Sequence, residues 1–305
     1  MKITRYLNQL PKKLNNPVLT LGNFDGVHLG HQHIIKQVLQ TAKKEKTGHL
    51  IITFEPHPLT VLRPQITFSR LTYFKDKALL LKKLGVKNII CFNFNKKFSE
   101  ITAKDFCEKI LKNGLKAKHI IIGYDFIFGK DRGGDSLFLE NFCRKNNIKF
   151  TQVPAITNQE HNIYSSSLIR KYLSEGRVGE ANKLLGYNFF LKGRVVLGRQ
   201  MGAKIGFATA NVNIKEPQQF IKKGVYKVLV KLGLRTYKAI ANIGVKPTIR
   251  GENKFLLEVH IFNFKKNIYG RKIKVFLLDF IREEQKFNSL EELKEQIKKD
   301  IQQIT

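Results

Sequence analysis

Residues 18–31 read VLTLGNFDGVHLGH, and an amphipathic helical pattern, HQHIIKQVLQTAKKEK, sets in at residue 31. An uninterrupted apolar run that passes through a glycine-rich turn straight into a helix is the first β–α unit of an open parallel sheet. Ligands in such sheets bind beyond the carboxyl ends of the strands, at the point where the strand order reverses. Gly22, Gly26 and Gly30 allow a tight turn and close backbone approach, and the helix start offers unpaired N–H groups and a positive dipole end to a phosphate. His28 and His31, three residues apart on one helical face, are placed to bind the same triphosphate.

Outward from this turn, further apolar runs, HLIITFE, NIICFNF, HIIIGYDF and IKFTQVPAI, alternate with helical patterns near KDKALLLKKLG, AKDFCEKILKNG and LFLENFCRKNN. This alternation predicts a doubly wound α/β parallel-sheet domain. After SSSLIRKYLSEGRVGEANKLLGY, read as two short helices with a glycine break, strands follow one another without helices: FFLKGRVVLG, GVYKVLVKLG, TYKAIANIG, KFLLEVHIFNF and KIKVFLLDFI. That pattern predicts an antiparallel β-barrel or sandwich domain. Ser289 as an N-cap with Glu292 three residues on predicts a C-terminal helix. The domains are placed at 1–187 and 188–305.

Composition narrows the class of protein. Three cysteines, Cys91, Cys107 and Cys143, form neither a disulfide set nor a metal-type pair, and no run is apolar enough to span a bilayer or serve as a signal peptide. A soluble, unprocessed cytoplasmic protein with no membrane association is expected. Fifty-five Lys plus Arg against 24 Asp plus Glu give a net charge of +31, spread along the chain rather than gathered on one arm. The charge is read as a solvated surface, with no nucleic-acid partner expected. A homo-oligomer remains open.

The string GNFDGVHLGH resembles the HxGH nucleotidylyltransferase superfamily, and its GNFDG form is similar to bacterial FAD synthetase. TFEPHP (53–58), GYDFIFGKDRGGD (123–135) and YSSSLIR (164–170) fall in that family's order and spacing. The resemblance implies an FMN adenylyltransferase with ATP on Gly22, Asn23, Phe24, Gly26, His28, His31, Ser165, Ser166 and Arg170. It implies flavin on His57, Asp125 and Phe128. Tyr164 and Ser167 depart from the superfamily's ISSTxIR, and the second keeps the hydroxyl.

The barrel half, from GRVVLGRQMGAKIGFATANVNI (193–214) onward, resembles riboflavin kinase. A kinase acting on a primary alcohol needs Mg²⁺ on oxygen ligands, a glycine-rich phosphate loop and a carboxylate base. Thr209 and Asn211 are assigned to Mg²⁺ and ATP beside Gly198, Gly202 and Gly206, and Glu258 to the base. Asn242, Arg282 and the 246–248 loop, with Lys246 and Thr248, are assigned to the flavin pocket. Two departures stand out: Ala208 replaces the family's Pro in PTAN, and Ala203-Lys204 replaces the preceding Gly-Arg. The two resemblances imply a bifunctional bacterial riboflavin kinase/FAD synthetase, with ATP, riboflavin, FMN and FAD as substrates or products. The competing readings are an adenylyltransferase for another phosphorylated acceptor with a flavin-binding barrel lacking kinase activity, and a basic nucleic-acid-binding protein.

Overall fold

The first apolar run is wholly buried as strand β2 (Val18–Leu21), and it is the hub of a six-stranded parallel sheet. Its partners are β1 (Lys2–Thr4), β3 (His49–Glu55), β4 (Asn88–Asn93), β5 (His119–Gly123) and β6 (Lys149–Val153), in the order β1-β4-β3-β2-β5-β6. From β2 the chain adds β3 and β4 on one side, then returns to add β5 and β6 on the other. The strand order therefore reverses between β2 and β5, which puts the GNFDGVHLGH turn in the crevice that such a reversal opens. The computed structural model describes residues 1–12, 14–66, 68–157, 162–198, 206–214, 218–247 and 253–303. Of the expected site residues, Gly202 and Thr248 lie outside these, as do Ala203 and Lys204.

Helices cover both faces of the sheet, so its strands bury both sides and read as continuous Val, Leu and Ile. They are α1 (Leu29–Lys44), α2 (Pro58–Leu62), α3 (Phe74–Lys83), α4 (Lys96–Ser99), α5 (Ala103–Asp105) and α6 (Ser136–Lys145). On one face Ile35 and Val38 of α1 and Leu81 of α3 pack on Val18, Ile51 and Ile89. On the other, Phe106, Cys107, Leu111, Leu139 and Cys143 pack on Leu19, Leu50, Ile90 and Ile120. Two details differ from the sequence reading. The edge strand β1 adds a sixth member, pairing with β4. The helix expected over 103–114 is a single α turn followed by a π-helix, Phe106–Gly114.

The chain divides into two compact units, Met1–Ser166 and Ser167–Thr305. In the second, the alternative between barrel and sandwich resolves as a closed antiparallel barrel, β10-β11-β8-β7-β12-β9. Its strands are β7 (Phe190–Val196), β8 (Ala210–Asn213), β9 (Gly224–Leu232), β10 (Arg235–Pro247), β11 (Asn253–Ile261) and β12 (Lys272–Arg282). The helix pair α7 (Ser166–Glu175) and α8 (Val178–Leu185) falls almost wholly in this unit. Asn182 fastens it, donating to Leu277 O at 2.9 Å and accepting from Phe189 N at 2.7 Å.

The closing helix α9 (Leu290–Gln302) starts as expected, with Ser289 Oγ accepting from Glu292 N at 3.1 Å. Arg282 holds it: Nε and Nη2 donate to the Asp300 carboxylate at 2.9 and 2.8 Å, and Nη1 donates to Glu283 O at 3.0 Å. Asp300 is buried, so removing its carboxylate strands a largely buried guanidinium. Asp300→Ala should lower the stability of this unit by about 3 kcal/mol, seen as an earlier thermal transition for the barrel.

Candidate active sites

Between β2 and α1 the backbone bends through three left-handed residues, Phe24 (φ 47), Gly26 (φ 79) and Val27 (φ 41). Two of these carry side chains, and such conformations persist only where surrounding contacts fix them. His28 then caps α1, its Nδ1 accepting from His31 N at 3.4 Å. With Nδ1 used as an acceptor, the neutral ring carries its proton on Nε2 and presents a donor. The His28 and His31 rings stack at 3.6 Å with an interplanar angle of 24°. Gly30 leaves room beside this stack, since a Cβ there would lie 3.1 Å from the His28 ring, closer than ordinary contact.

Burial pushes the His28 imidazole down to about 4 against the smaller opposing effect of Asp25. His31 is held well below the ordinary histidine value by burial, then by the His28 and Lys77 charges. Both rings are therefore neutral at pH 7 in the free protein. His31 Nδ1 is buried with no hydrogen-bond partner among the described residues.

This arrangement sets a pH dependence of stability. Between the unfolded value of 6.5 and the folded value of about 4, only the unfolded chain takes up the His28 proton. Stability from this group is present above 6.5 and is lost as pH falls to 4, by about 3 kcal/mol. Denaturation of wild type and His28→Ala across that window should show the wild type losing this much more than the variant.

Contacts from distant segments hold the turn in place. Asp25 accepts from Leu71 N at 3.1 Å and Thr72 N at 3.0 Å, and Gly26 N donates to Thr72 Oγ1 at 2.9 Å. Lys77 Nζ donates to Asn23 O at 2.7 Å. Ser166 Oγ donates to Asp25 O at 2.9 Å, which brings Ser166 against the GNFDG turn. Ser165 immediately precedes α7, and the Arg170 guanidinium lies over the Phe220 ring at 5.9 Å.

Among the expected flavin contacts of this unit, His57 is buried at the end of β3. Its Nδ1 accepts from Leu59 N at 3.2 Å and its ring packs on Phe68 at 4.4 Å. Phe128 follows β5 within an aromatic cluster, stacked on Phe126 at 5.3 Å and tilted on Phe106 at 5.7 Å. Asp125 is exposed on the same loop.

In the barrel, register brings three expected residues side by side. Glu258 pairs with Asn211 of β8 on one side and with Asn242 of β10 on the other. Directly paired residues project to the same face, and Leu257 and Val259 fill the interior, so the three form a polar row on the outer face. Asn242 Nδ2 donates to Glu284 Oε1 at 3.2 Å, while its Oδ1 is buried with no partner among the described residues. Gly198 lies so close to Asn211 that a Cβ there would meet Nδ2 at 2.0 Å. Thr209 directly precedes β8, and Gly206 takes a left-handed conformation (φ 87) just before it.

His260, missed in the sequence reading, donates from Nδ1 to Ala208 O at 2.9 Å. It fixes the ATAN segment at the residue where the φ restraint of proline is lost. Thr209 and Asn211 supply neutral oxygen donors that suit Mg²⁺ arriving with nucleotide phosphates. No cluster of three or more His, Cys, Asp or Glu that could hold a metal exists among the described residues.

A family model described as FAD synthetase matches residues 10–167, and one described as riboflavin kinase matches residues 185–305. A bifunctional riboflavin kinase/FMN adenylyltransferase of Buchnera aphidicola subsp. Schizaphis graminum is 38% identical over 304 residues, covering 99% of this chain and 97% of that protein. Proteins of the same name from Escherichia coli K12 and Listeria monocytogenes are 36% and 37% identical, covering 98% and 94% of this chain and 96% and 91% of their own lengths. A crystal structure described as a macrolide-efflux protein from Streptococcus pneumoniae superposes with a TM-score of 0.90 at 30% identity, covering 99% of this chain and 98% of that one. No helix among the described residues is long and apolar enough to cross a membrane. Two adjoining family models and full-length relatives at this identity show that the chain belongs to the family of bifunctional riboflavin kinase/FMN adenylyltransferases.

Proposed function

We propose that residues 188–305 transfer the γ-phosphoryl group of ATP to riboflavin, and that residues 1–187 transfer AMP from a second ATP to the resulting FMN. The chain thus makes FAD in two steps. The observation that carries this reading is the stacked, neutral His28–His31 pair at the head of α1, in the crevice where the sheet reverses.

In adenylyl transfer an FMN phosphate oxygen attacks the α-phosphorus, the bond to the β-phosphate oxygen breaks, and pyrophosphate leaves. Little covalent help is needed; positioning and stabilisation of phosphoryl charge dominate. The GNFDG backbone, from Gly22 and Asn23 through Phe24 to Gly26, and the N–H groups at the start of α1 cradle the phosphates. His28 and His31 donate to them, with Ser165, Ser166 and Arg170 completing the set. FMN lies against His57, Asp125 and Phe128.

In the kinase reaction Glu258 takes the proton of the ribityl hydroxyl, whose oxygen then attacks the γ-phosphorus as ADP leaves. Thr209 and Asn211 would hold Mg²⁺, which would neutralise charge on the nucleotide phosphates, with Gly198 and Gly206 beside them and Gly202 as the further glycine expected of this loop. Asn242 Oδ1, without a partner among the described residues, is an acceptor for flavin. Arg282, committed to Asp300, supports the pocket by fixing α9. A cytoplasmic setting without a nucleic-acid partner fits three free, buried cysteines and dispersed positive charge.

The test is incubation with riboflavin, ATP and Mg²⁺, followed by chromatography of the flavins over time. FMN should rise and then give way to FAD. FAD from added FMN, with no FMN from riboflavin, would instead mean that the Ala208 departure has removed the kinase.

A further inference from the structure

Lys77 of α3 is an unusual residue. It is only 3% exposed, yet among the described residues its Nζ forms no ion pair and bonds to neutral oxygens: Asn23 O at 2.7 Å and Thr53 Oγ1 at 3.5 Å. A buried ammonium without a carboxylate partner is unfavourable unless an anion compensates it nearby. Asp25 and Glu55 attract it at longer range, but Asp25 already accepts from Leu71 N and Thr72 N, and Glu55 pairs with Arg70.

Directly over Lys77 stands the strained turn with Phe24 and Val27 in left-handed conformations. Its Asn23 carbonyl points down onto the amine. Among the described residues the N–H groups of Asn23 and Phe24 make no hydrogen bond, whereas the Asn23 carbonyl is taken by Lys77.

We propose that Lys77 is the positioning cation of the adenylylation site: it clamps the Asn23 carbonyl from beneath, so that the turn presents N–H groups to the ATP triphosphate, whose charge offsets its own. The proposal rests on the reading of this turn as the ATP site. Lys77 contacts no substrate; it acts through the backbone of the turn and through its field. Its charge also bears on His31, whose imidazole it helps to hold neutral.

The experiment uses the full chain and Lys77→Met, which keeps most of the stem and removes the amine. FAD formation from FMN should show the KM for ATP raised about tenfold, the worth of one hydrogen bond to a charged group, with the KM for FMN within about twofold of wild type. By NMR the His31 imidazole should titrate at higher pH than in the wild type, a change that a purely structural role would not produce.

Unchanged KM for ATP and an unchanged His31 titration would overturn the proposal. Should Lys77→Met lose the thermal transition of the first unit, Lys77→Gln is measured in the same way; loss of that transition in both variants would also overturn it, by making the role purely structural. His31→Ala, assayed in parallel, separates the two levels of argument. If it abolishes FAD formation while Lys77→Met changes nothing, the clamp fails and the ATP site stands; if neither variant affects FAD formation, the site reading itself fails.

Discussion

With His31 replaced by alanine, the protein should convert riboflavin and ATP to FMN and stop there. The imidazole lies 3.6 Å from that of His28 and edge-on to Phe24 at 5.3 Å, in the first turn of α1. Its loss removes a donor to phosphoryl oxygens whose charge grows in the transition state, an effect of about 10²- to 10³-fold on rate for one preorganised donor. It also unstacks His28, so the loss should lie at the upper end of that range. The barrel reaction supplies an internal control, because FMN continues to form at the wild-type rate. Chromatography of the flavins reads both steps in one vessel, and FAD appearing at the normal rate would remove His31 from the site.

The turn was legible because its signal is local: an apolar strand, three glycines and two histidines within fourteen residues, opening a helix. What fixes the turn is not local. Leu71, Thr72 and Lys77 reach it from a segment about fifty residues downstream, and nothing in 71–77 taken alone marks those contacts. Lys77 did leave one trace. It falls on the face of α3 shared with Ala78 and Leu81, where a cation interrupts an apolar stripe.

In the barrel, runs of Val, Ile, Phe and Tyr announced five strands, whereas the short β8, Ala210–Asn213, was absorbed into a glycine-rich loop. That strand closes the barrel and carries Asn211 to Glu258, so missing it hid the reason for the polar row. The Arg282–Asp300 pair was invisible for a different reason. An arginine at the end of a strand looks equally suited to ligand or to protein, and its pairing with Asp300 appears only once α9 is docked.

Glu258→Gln tests the other half with the same separation. The substitution preserves side-chain volume and one acceptor oxygen, so the row Asn211–Glu258–Asn242 keeps its spacing while the base is lost. Riboflavin phosphorylation should fall by about 10²- to 10⁴-fold, the range for a positioned general base, whereas FMN supplied directly is still adenylylated to FAD. A raised KM with unchanged kcat would make Glu258 a binding group rather than a base. Unimpaired phosphorylation would direct attention to Glu284, whose carboxylate accepts from Asn242 Nδ2 at 3.2 Å. Glu284→Gln should therefore be measured alongside. If Glu258 is the base, the Glu284 variant keeps kcat and alters only flavin affinity, because its carboxylate acts on the substrate solely through the orientation of Asn242.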